Sequence, residues 1–319
     1  SQKAKRARLE HEHGRPYPRA TLASVQELLA RTLPEGSTAT IRSDEHLSYP
    51  LAIRRLKGRR IRHEQTSSKE SRTTRNPLFP VNLADLLLRH MRDGVPDGFA
   101  GLVERRAARE PVAHILGEQE FYGLTFKVTP ATLIPRGDSE TIVSAALECA
   151  PDAQRVLDMG TGSGALLLAF LSECRGADGI GIDASADALA VAEVNAGRLG
   201  LRARASFRHA SWHDAGWAAG LGRFDLVLCN PPYVELVDAL DPHVRRFEPA
   251  SALFAGPEGL DDYRAIIPQL GGLLSPGGAA VLEIGASQDR AVAGLAEAAG
   301  FAVTLHRDLA GRPRALVLR

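Results

Sequence analysis

Val156-Leu157-Asp158-Met159-Gly160-Thr161-Gly162-Ser163-Gly164 is an apolar run that breaks into three alternating glycines. Ala165-Leu166-Leu167-Leu168-Ala169-Phe170-Leu171 follows at once and reads as a helix. Strand, glycine turn and helix in this order form the opening unit of an α/β domain. The G-x-G-x-G spacing is neither the dinucleotide fingerprint nor a Walker loop. Glycines here let the backbone approach a ligand closely. A second strand, Gly179-Ile180-Gly181-Ile182-Asp183, ends in an acid. An acid at such a strand end accepts hydrogen bonds from ribose hydroxyls. The implied ligand is an adenosine derivative without a pyrophosphate, and S-adenosyl-L-methionine fits.

Further along, Phe224-Asp225-Leu226-Val227-Leu228-Cys229 is a buried-strand pattern that stops at Asn230-Pro231-Pro232-Tyr233. The prolines have fixed φ and no N–H to donate. What remains is a rigid set of acceptors, the Asn230 side-chain oxygen and the carbonyls around it, beside an aromatic ring. That set suits a planar amino group, such as a carboxamide or an exocyclic base nitrogen, whose two N–H donors need partners. Nitrogens of this kind are poor nucleophiles, so a strong electrophile must be brought to them. The competing reading of Asn230 and Tyr233 is a plain Asn-Pro turn. A turn does not require two prolines and an aromatic residue at the end of a buried strand.

The rest of the C-terminal part alternates strand and helix. Helices are expected over residues 186–199, 260–274 and 288–299. Strands are expected over 203–209, 279–284, 302–306 and 315–318, with a turn at Ser275-Pro276-Gly277-Gly278. This order implies a mostly parallel sheet with right-handed crossovers, binding ligands beyond the carboxyl ends of its strands. Ahead of it, a helix is expected around 99–109 and aromatic-rich strands over 121–128.

Glycine loop, ribose acid and Asn-Pro-Pro-Tyr together resemble a class I adenosylmethionine-dependent methyltransferase acting on a planar nitrogen. Glu110-Pro111-Val112-Ala113-His114-Ile115-Leu116-Gly117, Phe121-Tyr122-Gly123-Leu124 and Leu133-Ile134-Pro135-Arg136 with Asp138-Ser139-Glu140 narrow the likeness. So do Leu282-Glu283-Ile284-Gly285 and Asp308-Leu309-Ala310-Gly311-Arg312-Pro313-Arg314. From about Phe99 to Arg319 the chain resembles the HemK/PrmC family, which methylates the glutamine of the Gly-Gly-Gln motif in class 1 peptide-release factors. The resemblance implies a Rossmann-like fold with a mostly parallel seven-stranded sheet flanked by helices. It divides the chain into an atypical segment 1–92, a helix and β-hairpin linker 93–150, and a methyltransferase domain 151–319.

The same resemblance assigns the site. Gly160, Thr161, Gly162, Ser163, Gly164, Asp183, Trp212 and Asn230 would hold S-adenosyl-L-methionine. Asn230, Pro231, Pro232 and Tyr233 would hold the substrate amide, with Tyr233 packed on its plane. Asp183 could also start the next helix as a cap. Ser211 stands where the family has an acid, and Gly137 where it commonly has proline. Glu140 is expected near cofactor and substrate. His209, His213 and His243 sit in no ligand or triad spacing and read as incidental.

Residues 1–80 carry 17 Lys and Arg against 8 Asp and Glu, and the remaining 239 carry 22 against 30. A basic front on a mildly acidic body allows nucleic-acid contact by the front. From Ile41-Arg42-Ser43-Asp44-Glu45-His46 to residue 83 the sequence looks similar to part of an insertion-element transposase, with Asp44 at a strand end. A full acidic set is lacking, so no catalysis is expected there. Three cysteines (Cys149, Cys174, Cys229) form no disulfide or zinc pattern. There is no apolar run of membrane-spanning length and no secretory pattern, so a cytoplasmic chain is the expectation. The chain opens on Ser1, as a fragment or processed chain would. Rival readings are a ribosomal-protein glutamine methyltransferase, an adenine-N6 methyltransferase on DNA or RNA, and a transposase-derived nucleic-acid-binding protein without activity.

Overall fold

The computed structural model of the chain describes residues 38–43, 60–65, 101–102, 105–106, 108–237 and 241–319. The chain divides into two compact units, residues 1–107 and 108–319. In the first, β1 (Thr38–Ser43) and β2 (Arg60–Gln65) pair in parallel, Thr38 with Arg60 through Ser43 with Gln65. Asp44, Glu45 and the rest of the transposase-like stretch apart from these two strands lie outside the described residues.

The second unit begins with α1 (Val112–Leu116), which was not expected from the sequence and closes at Gly117 in the left-handed region, φ 73°. The aromatic-rich segment folds as a hairpin, β3 (Glu118–Phe121) and β4 (Leu124–Lys127), turning through Tyr122 and Gly123 at φ 53° and 78°. After a 3-10 turn, Gly137–Ser139, come α2 (Glu140–Cys149), β5 (Arg155–Met159), α3 (Ala165–Glu173), β6 (Asp178–Asp183), α4 (Ala186–Arg198) and β7 (Ala205–His209). Then follow β8 (Phe224–Cys229), α5 (Pro242–Phe247), a 3-10 turn at Ala250–Ala252, α6 (Asp261–Leu273), β9 (Leu274–Glu283), α7 (Asp289–Ala298), β10 (Val303–Arg307) and β11 (Pro313–Leu318).

Seven strands form one sheet in the order β10-β11-β9-β8-β5-β6-β7. β5 to β9 are parallel, and β11 runs antiparallel to both β9 and β10. This is the Rossmann-like class I methyltransferase arrangement expected from the sequence. Ser275-Pro276-Gly277-Gly278, expected as a turn, is instead counted within β9. Its residues are accommodated between the pairs Phe224–Leu274 and Leu226–Ala279, and Gly277 takes φ 80°.

Successive strand residues face opposite sides. Val156, Leu226, Leu228, Val281 and Val317 pack on one face with Phe121, Phe126 and residues of α2 and α3. Leu157, Met159, Val227, Cys229, Leu282 and Leu318 pack on the other with residues of α6 and α7. Covering both faces explains why these strands read as continuous apolar runs rather than alternating ones. Among the described residues no helix is long and apolar enough to cross a membrane.

The order also places the site. From β5 the chain moves outward through β6 to β7, then returns to β8 on the other flank of β5. Such a switch point opens a crevice at the carboxyl ends of the two central strands. Met159 of β5 pairs with Cys229 of β8, and with Ile182 of β6 on its other side. Gly160 and Asn230, each one residue beyond its strand, and Asp183, the last residue of β6, therefore stand side by side at the end of the sheet.

Candidate active site

A cavity of about 500 Å³ sits in this crevice, within the range of roughly 300–1,000 Å³ usual for small-molecule sites. Of the residues expected at the site, Gly160, Thr161, Gly162, Ser163, Asp183, Trp212, Asn230 and Pro232 line it. Gly164, Pro231 and Tyr233 are not among its lining. Gly164 serves packing: it sits at φ 80°, and a Cβ there would meet the Leu168 side chain at 3.0 Å and Ala192 at 3.3 Å.

The glycine loop is pinned to the end of β6. Gly160 and Thr161 both donate their N–H to the Ile182 carbonyl, at 2.9 and 2.8 Å. The Thr161 hydroxyl donates to Oδ2 of Asp158 at 2.6 Å beneath the loop. Burial pushes the Asp158 carboxyl up to about 7, with Thr161 drawing it back and Asp183 adding to the rise. Asp183 accepts the Gly162 N–H at 2.8 Å on one oxygen and the Ser185 N–H at 2.9 Å on the other. It thus organises loop and helix start together, while the N-cap of α4 is Ser185, whose hydroxyl accepts from Ala188 N–H. Each carboxylate oxygen still has acceptor capacity towards the cavity.

Trp212 forms the facing wall. Its ring lies over the loop, for a Cβ on Gly160 would come within 3.2 Å of it. Nε1 of Trp212 donates to Oδ1 of Asp262, a buried residue in the first turn of α6, at 2.8 Å. Nε2 of His213 reaches the same oxygen at 3.0 Å, and His213 also lines the cavity. His213 is therefore not incidental: its neighbour Trp212 and the strand end at β7 carry it into the wall. His209 lies apart, its Nε2 bonded to the Ala184 carbonyl at 2.8 Å. Ser211 lines the cavity with its hydroxyl accepting from the His213 N–H at 3.2 Å.

The other half of the cavity is lined by Leu133, Pro135, Arg136, Ser139 and, across from them, Pro249, Ser251, Ala252 and Phe254. Glu248 locks these two walls together. Its buried carboxylate accepts the Ile134 N–H at 3.1 Å and pairs with the Arg136 guanidinium. Glu140 is not part of the lining and holds the hairpin instead, accepting the Tyr122 N–H at 2.9 Å.

Asn230 lines the cavity with these two halves, and its side chain makes no hydrogen bond to another described residue. Behind it, the Tyr233 hydroxyl donates to Oε1 of Glu283 at 3.2 Å. Glu283 was quoted in the sequence only as part of a motif, as was Arg314, whose charge acts on it. Burial pushes the Glu283 carboxyl up to about 7 against the Ser139 hydroxyl and that charge. Burial, and next the neighbouring Glu283 charge, raise the Tyr233 phenol above its ordinary range.

Asn195 and Asp262 were missed altogether. Asn195 is fully buried, accepting the Lys127 N–H at 2.7 Å and donating to the carbonyls of Lys127 and Ser163 at 3.0 and 2.8 Å. It ties the hairpin to the cofactor loop. The available signal was a polar residue on an apolar helical stripe: Ala188, Val191 and Ala192 precede Asn195, and Ile266 and Leu270 follow Asp262 at helical spacing.

The cavity suits S-adenosyl-L-methionine: a close-approach loop, a strand-end carboxylate and an indole wall converge on it. A family model described as "Methyltransferase domain" matches residues 151–283. A release factor glutamine methyltransferase of Caulobacter vibrioides is 45% identical over 222 residues, covering 67% of this chain and 75% of that protein. One from Bradyrhizobium diazoefficiens is 46% identical over 225 residues, covering 68% and 74%. The solved structure of a release factor-specific protein-(glutamine-N5) methyltransferase from Alicyclobacillus acidocaldarius is 26% identical, with a TM-score of 0.37 over 60% of this chain and 98% of that one. With identity at this level over three quarters of its relatives' length, the chain belongs to the release factor glutamine methyltransferase family.

Proposed function

We propose that this chain methylates the side-chain amide nitrogen of the glutamine in the Gly-Gly-Gln motif of class 1 peptide chain release factors. The observation that carries the reading is the shared cavity of Asn230 and the glycine loop, set by the pairing of Met159 with Cys229. Family membership narrows the planar nitrogen that these acceptors suit to a glutamine amide.

S-adenosyl-L-methionine, held by the 160–163 loop, Asp183 and Trp212, supplies an electrophilic methyl group when bound. The Asn230 side-chain oxygen in the cavity lining accepts one amide N–H, and the Pro231 carbonyl, next along the chain and just outside the lining, would take the other once substrate is seated. As the nitrogen–methyl bond would form while the methyl–sulfur bond breaks and sulfur leaves as a neutral thioether, the nitrogen would become cationic and both oxygens would interact with it more strongly, which stabilises the transition state over the ground state. The nitrogen then loses a proton easily, so no base has to act first. Holding the amide in register supplies much of the remaining acceleration. Pro232 and the Leu133–Arg136 wall enclose the amide and exclude water.

For residues 1–92 the reading is a non-catalytic, transposase-like segment able to touch nucleic acid. Its support is the likeness over residues 41–83 and an excess of nine positive charges in residues 1–80.

The test offers methyl-labelled S-adenosyl-L-methionine with a release factor, the same factor with its Gly-Gly-Gln glutamine changed to alanine, a ribosomal-protein substrate and duplex DNA. Label that enters the first protein alone, at the glutamine, is the expected result. Label in the alanine form or in DNA would reject the reading.

A further inference from the structure

Two prolines stiffen the Asn230–Tyr233 segment, but its direction out of β8 has to be fixed from outside, and the fixing contacts converge on Tyr233. The Tyr233 hydroxyl donates to Oε1 of Glu283 at 3.2 Å. The Tyr233 carbonyl accepts from Nε2 of Gln288 at 3.0 Å, while Oε1 of the same Gln288 accepts the Gly285 N–H at 3.0 Å. Gly259 presses on the same carbonyl so closely that a Cβ there would come within 2.3 Å of its oxygen. Glu283, Gly285 and Gln288 all stand at or just beyond the end of β9, the strand beside β8. One strand end thus clamps the next.

Glu283 is the costly member of the clamp. It is 2% exposed, and a buried carboxyl is unfavourable unless its surroundings answer it. They do so only in part: Oε1 accepts the Tyr233 hydroxyl, and the Arg314 charge on β11 acts from nearby, while Oε2 and the Ser139 hydroxyl before α2 are buried without a hydrogen-bond partner among the described residues. Arg314 is itself buried and held, donating to the Ile284 carbonyl at 3.3 Å and to Asp138 at 3.2 Å. Asp308 and Arg312 complete the group, Arg312 bonding both Asp308 and Asp138. The Asp308–Arg314 motif, otherwise remote from the chemistry, is therefore connected to it through one carboxyl. A buried carboxyl is weak evidence for a stabilising role, and the hydrogen bond that this one accepts comes from the segment beside Asn230.

We infer that Glu283 is a positioning residue for amide methylation: through the Tyr233 hydroxyl it holds the Asn230 and Pro231 acceptors in register with the cofactor loop. The inference rests on the glutamine reading above.

The experiment measures turnover on a release-factor substrate and S-adenosyl-L-methionine affinity for wild type, Glu283→Ala, Glu283→Gln, Tyr233→Phe and the Glu283→Ala/Tyr233→Phe double variant. Glu283→Ala should lower kcat about tenfold or more, the scale of a lost hydrogen bond to a charged group, with cofactor affinity unchanged. Glu283→Gln, which keeps an acceptor for the hydroxyl, should recover most of the loss. In the double variant the losses should not add, because both changes break one contact. Additive losses, a cofactor affinity that falls in step with kcat, or no rescue by glutamine would overturn the inference. Should Glu283→Ala not fold, Tyr233→Phe alone decides: an unchanged kcat overturns it. Wild type that leaves the glutamine unlabelled defeats the glutamine reading and this inference with it, whereas an additive cycle defeats the inference alone.

Discussion

Nε1 of Trp212 donates to Oδ1 of Asp262 at 2.8 Å, so the ring over the glycine loop is held in place from α6, fifty residues away in sequence. The same oxygen receives His213, and one buried carboxylate thereby orders two cavity-lining rings. Asp262→Ala frees both. Its S-adenosyl-L-methionine affinity should fall about tenfold, the scale of one or two lost hydrogen bonds to a charged acceptor. Asp262→Asn, which keeps the carbonyl oxygen, should lose less. Calorimetric titration checks both variants, and equal affinities for alanine and wild type would remove the supporting role.

Asn230→Ala separates chemistry from cofactor binding. The residue lines the cavity but its side chain holds no other described residue, so its loss leaves the loop, Asp183 and Trp212 as they are. Turnover should fall by about 10² to 10³, the range seen when one preorganised transition-state partner is removed, while cofactor affinity stays within experimental error. Near-normal initial rates would show that the amide is held elsewhere.

Asp183 makes the opposite prediction. Its two oxygens order Gly162 and Ser185, and the residue lines the cavity. Asp183→Ala should weaken cofactor affinity at least about tenfold and move kcat at saturating cofactor far less. Asp183→Asn should fall between alanine and wild type. An unchanged dissociation constant for alanine would withdraw the ribose role.

The central strands and the loops at their ends were legible because a fully buried parallel strand leaves a continuous apolar run that stops abruptly where the ligand begins. Phe224 to Cys229 was read to the residue for that reason. Pairing was not legible: that Met159 meets Cys229 follows from strand order, which depends on contacts between segments about seventy residues apart. The supporting polar residues were hidden by their own surroundings. Asn195 and Asp262 sit on apolar helical stripes, where one polar letter looks like a lapse in the pattern until its partners are known. Tyr233 was read as facing the substrate, and its hydroxyl instead reaches back to Glu283, a direction no spacing encodes.

Asn195→Ala tests the join between hairpin and cofactor loop. The change strands the N–H and carbonyl of Lys127 and the carbonyl of Ser163, all met by this one side chain. Leaving buried backbone groups unsatisfied costs about 1–3 kcal/mol each where water cannot reach them. A net loss of about 3 kcal/mol is expected in urea unfolding. Asn195→Leu, close in size, should fare no better, since volume is not what the site lacks. Stability within 0.5 kcal/mol of wild type, about the scatter of surface changes, would show that the hairpin is held by apolar packing instead.

The pH dependence of stability follows from two buried carboxyls. Burial raises Asp158 to about 7 and Glu283 to about 7, against roughly 4 for both in an unfolded chain. A folded pKa above the unfolded one means that the native state holds the proton more tightly. The resulting contribution is complete below about pH 4 and is lost as pH rises to about 7. Stability should therefore decline across that window and level off above it, by a few kcal/mol in order of magnitude for the pair. Asp225 and Asp308 are shifted the other way, lowered by hydrogen bonds from Arg155, Gln154 and Ser275 and from Arg312 and Ala310 respectively, which outweigh what burial adds. Their contribution is lost only as pH falls below about 4, outside the same window. Asp158→Asn removes one titrating group while keeping an acceptor for Thr161. Relative to wild type the variant should gain stability from about pH 4 to about pH 7 and hold that gain above it, read as the difference between urea midpoints. Parallel curves for the two proteins would mean that Asp158 stays ionised in the fold.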